Sequence, residues 1–421
     1  MQKKPNIIII TTHDTGRHFG CYGVPSVATP AIDRLAGEGV RFDNMFATSS
    51  ICSPSRGSLM TGRYPQSNGL TGLAGKNWGS EFNDTKQHLS HVLRDAGYHT
   101  VFFGHQHETA ELSTLGFDDI SGAHRAMLTA PFARVDPGGK PESLADGCKR
   151  SSKNAPETAS DASSFIKNAA AKEMPFFMQI GFFETHTPYL WGGCEPDDSK
   201  GVYLPPYTQS TADTVWQDKV LGPHVAGLQG SIRMVDKAVE IILNALDAGG
   251  LADDTLVLFT VDHGPELPRA KWTMSDGGIR VAFIMRWPAG GIAGGKSCDQ
   301  LLSNVDFLPT LADIAGVPIP KNVEGRSFAW ALPGGSGTCE KPRDTVYAMF
   351  SYVHTYCART AAYKIIRDFS ETPSTELYDL REDPLELRDV AYDARYAGAR
   401  ADMEARLSAW LDAVGDPIER G

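Results

Sequence analysis

Four apolar stretches with no alternating polar residues, at 6–12, 100–103, 176–183 and 255–261, each run into Asp or His within a few positions. A strand that is apolar on both sides has to be covered on both faces, as in a parallel sheet between helices. Helical signals lie between these runs. Thr29-Pro30 supplies an N-cap and a first helical residue for a helix ending near Gly37 to Gly39. Leu89, Val92 and Leu93 form the inward face of another, stopped at Gly97. Leu228, Ile232, Val235, Val239, Ile242 and Leu246 alternate spacings of four and three and end near Gly249-Gly250. The alternation predicts an α/β fold: a mostly parallel central sheet with helices on both faces.

In such sheets ligands bind beyond the carboxyl ends of the strands. Asp14, His105, His107, His186, Asp262 and His263 all fall there, one to four positions past the last apolar residue of a predicted strand. Asp14 and Asp262 are hard oxygen donors from two distant strands, which suits Ca²⁺, Mg²⁺ or Mn²⁺. His13 and His263, each beside one of these aspartates, are candidate nitrogen ligands.

The chain is long enough for one large core with a satellite, at 421 residues. Its net charge of −11 argues against nucleic acid and mildly repels a polyanion. A local cationic pocket overrides that repulsion, because salt limits the reach of the global field. The apolar run 7–10 is too short for a signal sequence or a membrane span, and no other segment approaches spanning length. Seven cysteines, odd in number and scattered, form no disulfide framework. These features lead to the expectation of a cytoplasmic enzyme with no membrane or nucleic-acid partner.

One motif is more specific than any of these patterns. Cys52-Ser53-Pro54-Ser55-Arg56-Gly57-Ser58-Leu59-Met60-Thr61-Gly62-Arg63 places a proline in the first turn of a helix that starts just after Cys52. Cys52 then lies at a positive helix terminus, where an anion is welcome, and Arg56 one turn on adds a permanent cation.

This run resembles the signature of the sulfatase family, part of the alkaline phosphatase superfamily, in which the cysteine is oxidised to formylglycine. The resemblance implies a divalent-metal-dependent hydrolase of sulfate esters or sulfamates. It also implies a formylglycine-generating maturation enzyme as a partner and a small-molecule or saccharide sulfate as substrate. The family's Asp-Asp after the first strand reads His13-Asp14 here, and its Asp-Asn-Gly reads Asp262-His263-Gly264. The implied metal set is therefore His13, Asp14, Cys52, Asp262 and His263. Calcium is the family's ion, and the nitrogen of His13 gives weight to Mn²⁺, with Mg²⁺ a third candidate.

The implied catalytic set is Cys52, Arg56, His105, His107, His186 and Lys271. Gly104-His105-Gln106-His107 is similar to the family's Gly-Lys-x-His, so His105 replaces a lysine and makes that cation pH-dependent. His186-Thr187-Pro188-Tyr189 is similar to His-x-Pro-His and makes His186 the general acid. Lys271 stands where the family places a sulfate-binding lysine. The tail sequences Glu376-Leu377-Tyr378-Asp379-Leu380 and Asp383-Pro384 resemble the family too, and the nearest branch by pattern is the sulfamidase-like bacterial sulfatases.

A phosphonate or phosphate ester hydrolase of the same superfamily is the alternative, favoured by the Asp-His-Gly and by His105. A non-catalytic relative would have lost catalytic positions that this chain keeps. Trp78, Tyr189, Trp191, His354 and Tyr356 are candidate substrate-pocket aromatics. A Gly-, Pro- and Ser-rich segment at 136–157 reads as a long excursion, and a break at 332–337 predicts a catalytic α/β domain over 1–337 and a small α+β subdomain over 338–421. Three short strands near 345–350, 363–367 and 376–380 and a final helix near 399–414 are expected in that subdomain.

Overall fold

The Ile7-Ile8-Ile9-Ile10 run forms the middle of the molecule, all four side chains fully buried in a central strand. The structure is a computed structural model, and it describes residues 4–75, 79–121, 153–171, 174–189, 193–210, 218–333 and 342–418. Strands β1 (Asn6–Thr12), β2 (Val40–Phe42), β3 (His99–Gly104), β4 (Asp119–Ser121), β5 (Phe176–Gly181), β6 (Thr255–Val261), β7 (Phe283–Arg286) and β8 (Lys296–Cys298) make one sheet. Their order across it is β4-β3-β5-β1-β6-β7-β2-β8. The five strands from β4 to β6 are mutually parallel, so their carboxyl ends share one rim. β7 runs antiparallel to both its neighbours. The mostly parallel sheet expected from the apolar runs is therefore present.

Helices α1 (Pro30–Glu38), α2 (Cys52–Thr61), α3 (Leu89–Asp95), α4 (Ala155–Ala169), α5 (Asp218–Ala248) and α6 (Phe307–Ala315) accompany the sheet. The long α5 packs along α4 and α1 and begins well before the periodic residues that announced it. Thr29 does not cap α1 as expected. Its hydroxyl is engaged with Asp33 and the Gly20 N–H, and Asp236 of α5 accepts the free N–H groups of Ala31 and Ile32 instead. A carboxylate at a helix N-terminus satisfies the same orphan donors whichever helix supplies it.

β5 ends two residues earlier than its apolar run suggests. A Cβ added to Gly181 would fall 1.7 Å from the His105 carbonyl oxygen, so the two chains nearly touch there. Gly104 takes φ 81° opposite it. This close approach turns both chains off the sheet and starts the histidine-bearing loops. The excursion expected at 136–157 lies outside the described residues up to 152. Its last residues instead form a capping box, Asn154 with Glu157, that opens α4.

The C-terminal region is a separate antiparallel sheet of β9 (Val346–Phe350), β10 (Thr355–Arg359), β11 (Tyr363–Asp368) and β12 (Ser374–Asp379), with helix α7 (Ala397–Ala413) packed on it. Within this sheet, β10 is the strand that sequence reading missed. Tyr356, expected to line a pocket, is buried in this sheet's own core beside Met349 and Trp410. Its hydroxyl donates to Asp416, which gives the ring's polar end a partner away from any cleft.

Candidate active site

The rim of the sheet gathers the predicted residues from elements far apart in sequence. β1 and β6 pair in register up to Thr12 and Val261, so Asp14 and Asp262 emerge side by side. The Asp14 N–H donates to Asp262 Oδ1 at 3.0 Å. Asp14 adopts φ 44°, a left-handed turn that points the chain back across the strand ends. Both carboxylates are buried, at 0% and 4% exposure.

Helix α2 aims its first residue at this pair. All ten of its residues are buried, and Gly62 closes it in a left-handed conformation. Cys52 Sγ lies 3.3 Å from His263 Nε2 and 3.9 Å from Asp14 Oδ1. His263 Nδ1 donates to the Gly264 carbonyl at 2.9 Å, and its Nε2 lies between the thiol and Asp14 Oδ1, 3.2 Å from the latter. Burial, then the Asp262 and Asp14 carboxylates, push the thiol well above its ordinary pKa. As an unmodified side chain it is therefore a protonated, weak nucleophile.

Two cations balance the carboxylates. Arg56 donates from Nε to Asp262 Oδ2 at 3.1 Å and also holds Thr11 Oγ1 and the Thr12 carbonyl, each at 3.2 Å. Lys271 Nζ donates to Asp14 Oδ2 at 2.5 Å and lies 3.7 Å from Glu266 Oε2. Burial opposes the Lys271 charge, but Asp14 and Glu266 outweigh it and its pKa rises. Burial likewise opposes Asp262, while His263, Arg56 and His13 hold it well below the usual carboxylate range.

The histidines form a cluster over this floor. The His13 ring lies 5.2 Å from His105, 5.8 Å from His186 and 6.3 Å from His107. His186 Nδ1 donates to the Thr187 carbonyl, and its Nε2 is 3.8 Å from Asp14 Oδ2. Burial, then Arg56, lower His107 to about 3, and burial, then Lys271, lower His186. Both rings are therefore neutral at neutral pH in the free protein.

A divalent cation fits the donor set. Ligand atoms of His13, Asp14, Cys52 and Asp262 all lie within 4.8 Å of one another. His13 is completely buried, and neither of its ring nitrogens completes a hydrogen bond, although Nδ1 is 3.2 Å from Asp262 Oδ2. A buried imidazole beside two carboxylates is a donor set that a divalent cation would satisfy. His263 borders this group, its Nε2 being 3.2 Å from Asp14 Oδ1 and 3.3 Å from Cys52 Sγ.

All of the predicted site residues thus lie on one rim, whereas the aromatic candidates divide. Tyr189 is buried, with its hydroxyl 3.1 Å from His224, and His354 sits exposed on the turn between β9 and β10. Trp78 and Trp191 lie outside the described residues. Sequence reading missed Glu266, which accepts from the Thr187 hydroxyl beside His186. An acid four positions past Asp262 on the same rim was a usable signal. It also missed Asn304, which donates to both the carbonyl and the hydroxyl of Ser55, while that hydroxyl holds the Asp262 carbonyl. No local pattern announces that contact.

Comparison with known proteins places this geometry. The family model described as Sulfatase matches residues 5–317, and that of the N-sulphoglucosamine sulphohydrolase C-terminal region matches 269–412. An ulvan-active sulfatase of Formosa agariphila is 27% identical over 99% of this chain and 82% of its own length. Human arylsulfatase A is 30% identical over 86% of this chain and 74% of its own. BT4656, solved in complex with its substrate D-glucosamine-2-N,6-O-disulfate, superposes with a TM-score of 0.77 at 21% identity, each chain fully covered. The phosphonate monoester hydrolase of Agrobacterium radiobacter gives 0.74 at 22% identity, covering 98% of this chain and 96% of its own.

Proposed function

This chain belongs to the sulfatase family and is a sulfatase, an enzyme that hydrolyses sulfate esters; we propose that its nucleophile is a formylglycine made from Cys52 and its substrate a sulfated saccharide. The carrying observation is the placement of Cys52 Sγ at the start of α2, 3.9 Å from Asp14 and 3.3 Å from His263. A thiol held protonated between two carboxylates has little use as it stands. Formylglycine, as its hydrate, supplies one hydroxyl to attack sulfur and a second whose deprotonation drives sulfate out.

His13, Asp14, Asp262 and the side chain at position 52 would hold the metal, with His263 at its edge. Calcium is the first candidate and Mn²⁺ or Mg²⁺ the others, and the ion's charge would lower the pKa of the attacking hydroxyl. Arg56 fixes Asp262 in place through its guanidinium. Lys271, with its ammonium kept charged by Asp14, faces the incoming anion and stabilises the charge that collects on the sulfate oxygens. His107, one ring nitrogen of which has no hydrogen-bond partner, takes a proton at the nucleophile. His186 has Nδ1 committed to a carbonyl, so Nε2 is the atom that exchanges a proton with the leaving oxygen, and it acts as the acid only once the ring has taken up a second proton. His105, in place of the family's lysine, adds a cation only when protonated.

The saccharide reading follows the relatives, several of which are named for action on sulfated sugars. The division into 1–337 and 338–421 and the need for a maturation enzyme belong to the same reading. So does the cytoplasmic location, supported by five free cysteines among the described residues. Among those residues no helix is long and apolar enough to cross a membrane. The phosphonate alternative shares the fold, but the family model and the curated relatives point to sulfate. Turnover of an aryl sulfate against an aryl phosphonate monoester, followed by a panel of sulfated sugars and sulfamates, tests the proposal. A preference of roughly a hundredfold for the phosphonate, about 2.7 kcal/mol in barrier, would overturn it.

A further inference from the structure

Lys364 of β11 is fully buried, yet its ammonium is bracketed by two carboxylates from outside its own strand. Asp276 Oδ1 and Glu386 Oε1 each lie 2.8 Å from it. Arg359 of the neighbouring β10 adds a contact to Asp276 Oδ2 at 3.3 Å. Two cations thus face two carboxyl groups in a place where an unpaired charge would be costly. Asp276 does not belong to the C-terminal sheet. It ends the segment 269–276, which carries Lys271 from the rim of the central sheet.

That segment is tied to the C-terminal region at both ends. The Asp276 N–H donates to Glu386 Oε2 at 2.8 Å, and Arg269 donates to the Glu386 backbone carbonyl. Ser275 donates to the Arg269 carbonyl and closes the loop on itself. Lys271 lies inside this loop, with Arg269 at φ 57° and Trp272 at φ 73° on either side. Left-handed backbone at a non-glycine residue costs on the order of 1–3 kcal/mol and persists only where the surroundings over-determine it. Inside the loop the Lys271 N–H donates to the Pro265 carbonyl and the Trp272 N–H to the Ser50 carbonyl. Just beyond Asp276 the Gly278 carbonyl accepts from the Gly264 N–H, so the charge cluster holds the loop together with these backbone contacts.

We infer that Lys364 and Glu386 are positioning residues for Lys271: the C-terminal sheet, through a buried Lys364–Asp276–Glu386 cluster, sets where the sulfate-facing ammonium stands. The inference rests on the reading of Lys271 as a sulfate-binding group. It assigns the C-terminal region a part in catalysis although none of the cluster's residues touches the reacting atoms. Displacing a binding group by about 1 Å can cost on the order of a hundredfold in rate.

A double-mutant cycle separates this role from simple attachment of the two sheets. The full-length, metal-loaded enzyme is compared with Lys364→Met, Lys271→Met and the double variant, reading kcat/KM on an aryl sulfate, inhibition by inorganic sulfate, and melting. Lys364→Met alone should lower kcat/KM by about tenfold or more and weaken sulfate inhibition by a similar factor, with Lys364→Arg restoring part of both. In the Lys271→Met background the same substitution should change kcat/KM by less than about twofold, since the group it positions is already gone. Equal losses in both backgrounds, or an unchanged kcat/KM in the single variant, would overturn the inference. If Lys364→Met does not stay folded at the assay temperature, Glu386→Gln, which keeps the side chain's shape, carries the same cycle to the same two outcomes. Failure of the parent reading looks different: Lys271→Met then keeps wild-type kcat/KM, and the inference falls with it.

Discussion

Lys271 Nζ donates to Asp14 Oδ2 at 2.5 Å, joining the loop after the first strand to a segment 257 positions later. With the Arg56–Asp262 pair beside it, the site holds two carboxylates and two cations within a few ångströms. Such a site is near neutral without metal. A divalent cation would make it net positive, which is what an anionic sulfate ester requires from a chain whose overall charge is −11.

Removing Lys271 therefore has two separable consequences. Lys271→Met should lower kcat/KM by roughly 10²–10³, the usual loss for one group that stabilises developing negative charge. It also leaves Asp14 buried without its partner, so the metal-free variant should lose about 3–5 kcal/mol of stability. Added calcium should restore much of that loss, because a cation compensates the same carboxylate. Thermal melts with chelator and with calcium, run for wild type and variant, check this; an equal deficit in both conditions counts against Asp14 as a metal ligand.

Cys52→Ala should abolish turnover while the melting temperature stays within a few degrees of wild type. The side chain is small, and its main contacts are with polar site groups rather than with the apolar core. Intact mass of the peptide spanning Cys52, in protein co-expressed with a maturation enzyme, should show the lighter formylglycine form. Measurable sulfate-ester hydrolysis by Cys52→Ala protein would rule out the covalent mechanism.

Asp262→Asn should lose bound metal and activity together. The neutral amide keeps the shape but removes the charge that Arg56 and His13 face. Metal analysis after gel filtration, read with kcat, tests this. Retained stoichiometric metal would remove Asp262 from the ligand set.

Asp236 supplies a pH test away from the metal. Burial raises its pKa from 3.8 to about 6, despite the N–H groups of Ala31 and Ile32 that favour the anion. A carboxyl with a raised folded-state pKa binds its proton more tightly in the native protein than in the unfolded one. Its contribution to stability is complete below about pH 4 and disappears as pH rises through about 6. Asp236→Asn keeps an acceptor for the helix but no longer titrates. Relative to wild type, it should gain on the order of 2–3 kcal/mol between pH 4 and pH 7 in urea unfolding. A constant difference across that range would show that Asp236 titrates normally in the fold.

The sequence by itself determined the mostly parallel sheet and the rim on which the proposed reacting groups stand. Buried strands and the residues just after them are local patterns, and the Cys52–Arg56 spacing needs only one helical turn to become geometry. It did not determine which rim residues touch, because Lys271 against Asp14 or Asn304 against Ser55 joins positions some 250 residues apart. Tyr356 was legible as an aromatic but not as core, since burial depends on the strand paired beside it. The cap of α1 came from another helix for the same reason. Lys364 reads in sequence as an ordinary surface cation; only packing of the second sheet against the 269–276 segment removes it from water and makes its charge depend on two carboxylates. Local chemistry is written in the order of residues, whereas long-range electrostatic partners are fixed by desolvation, which exists only once the chain has folded.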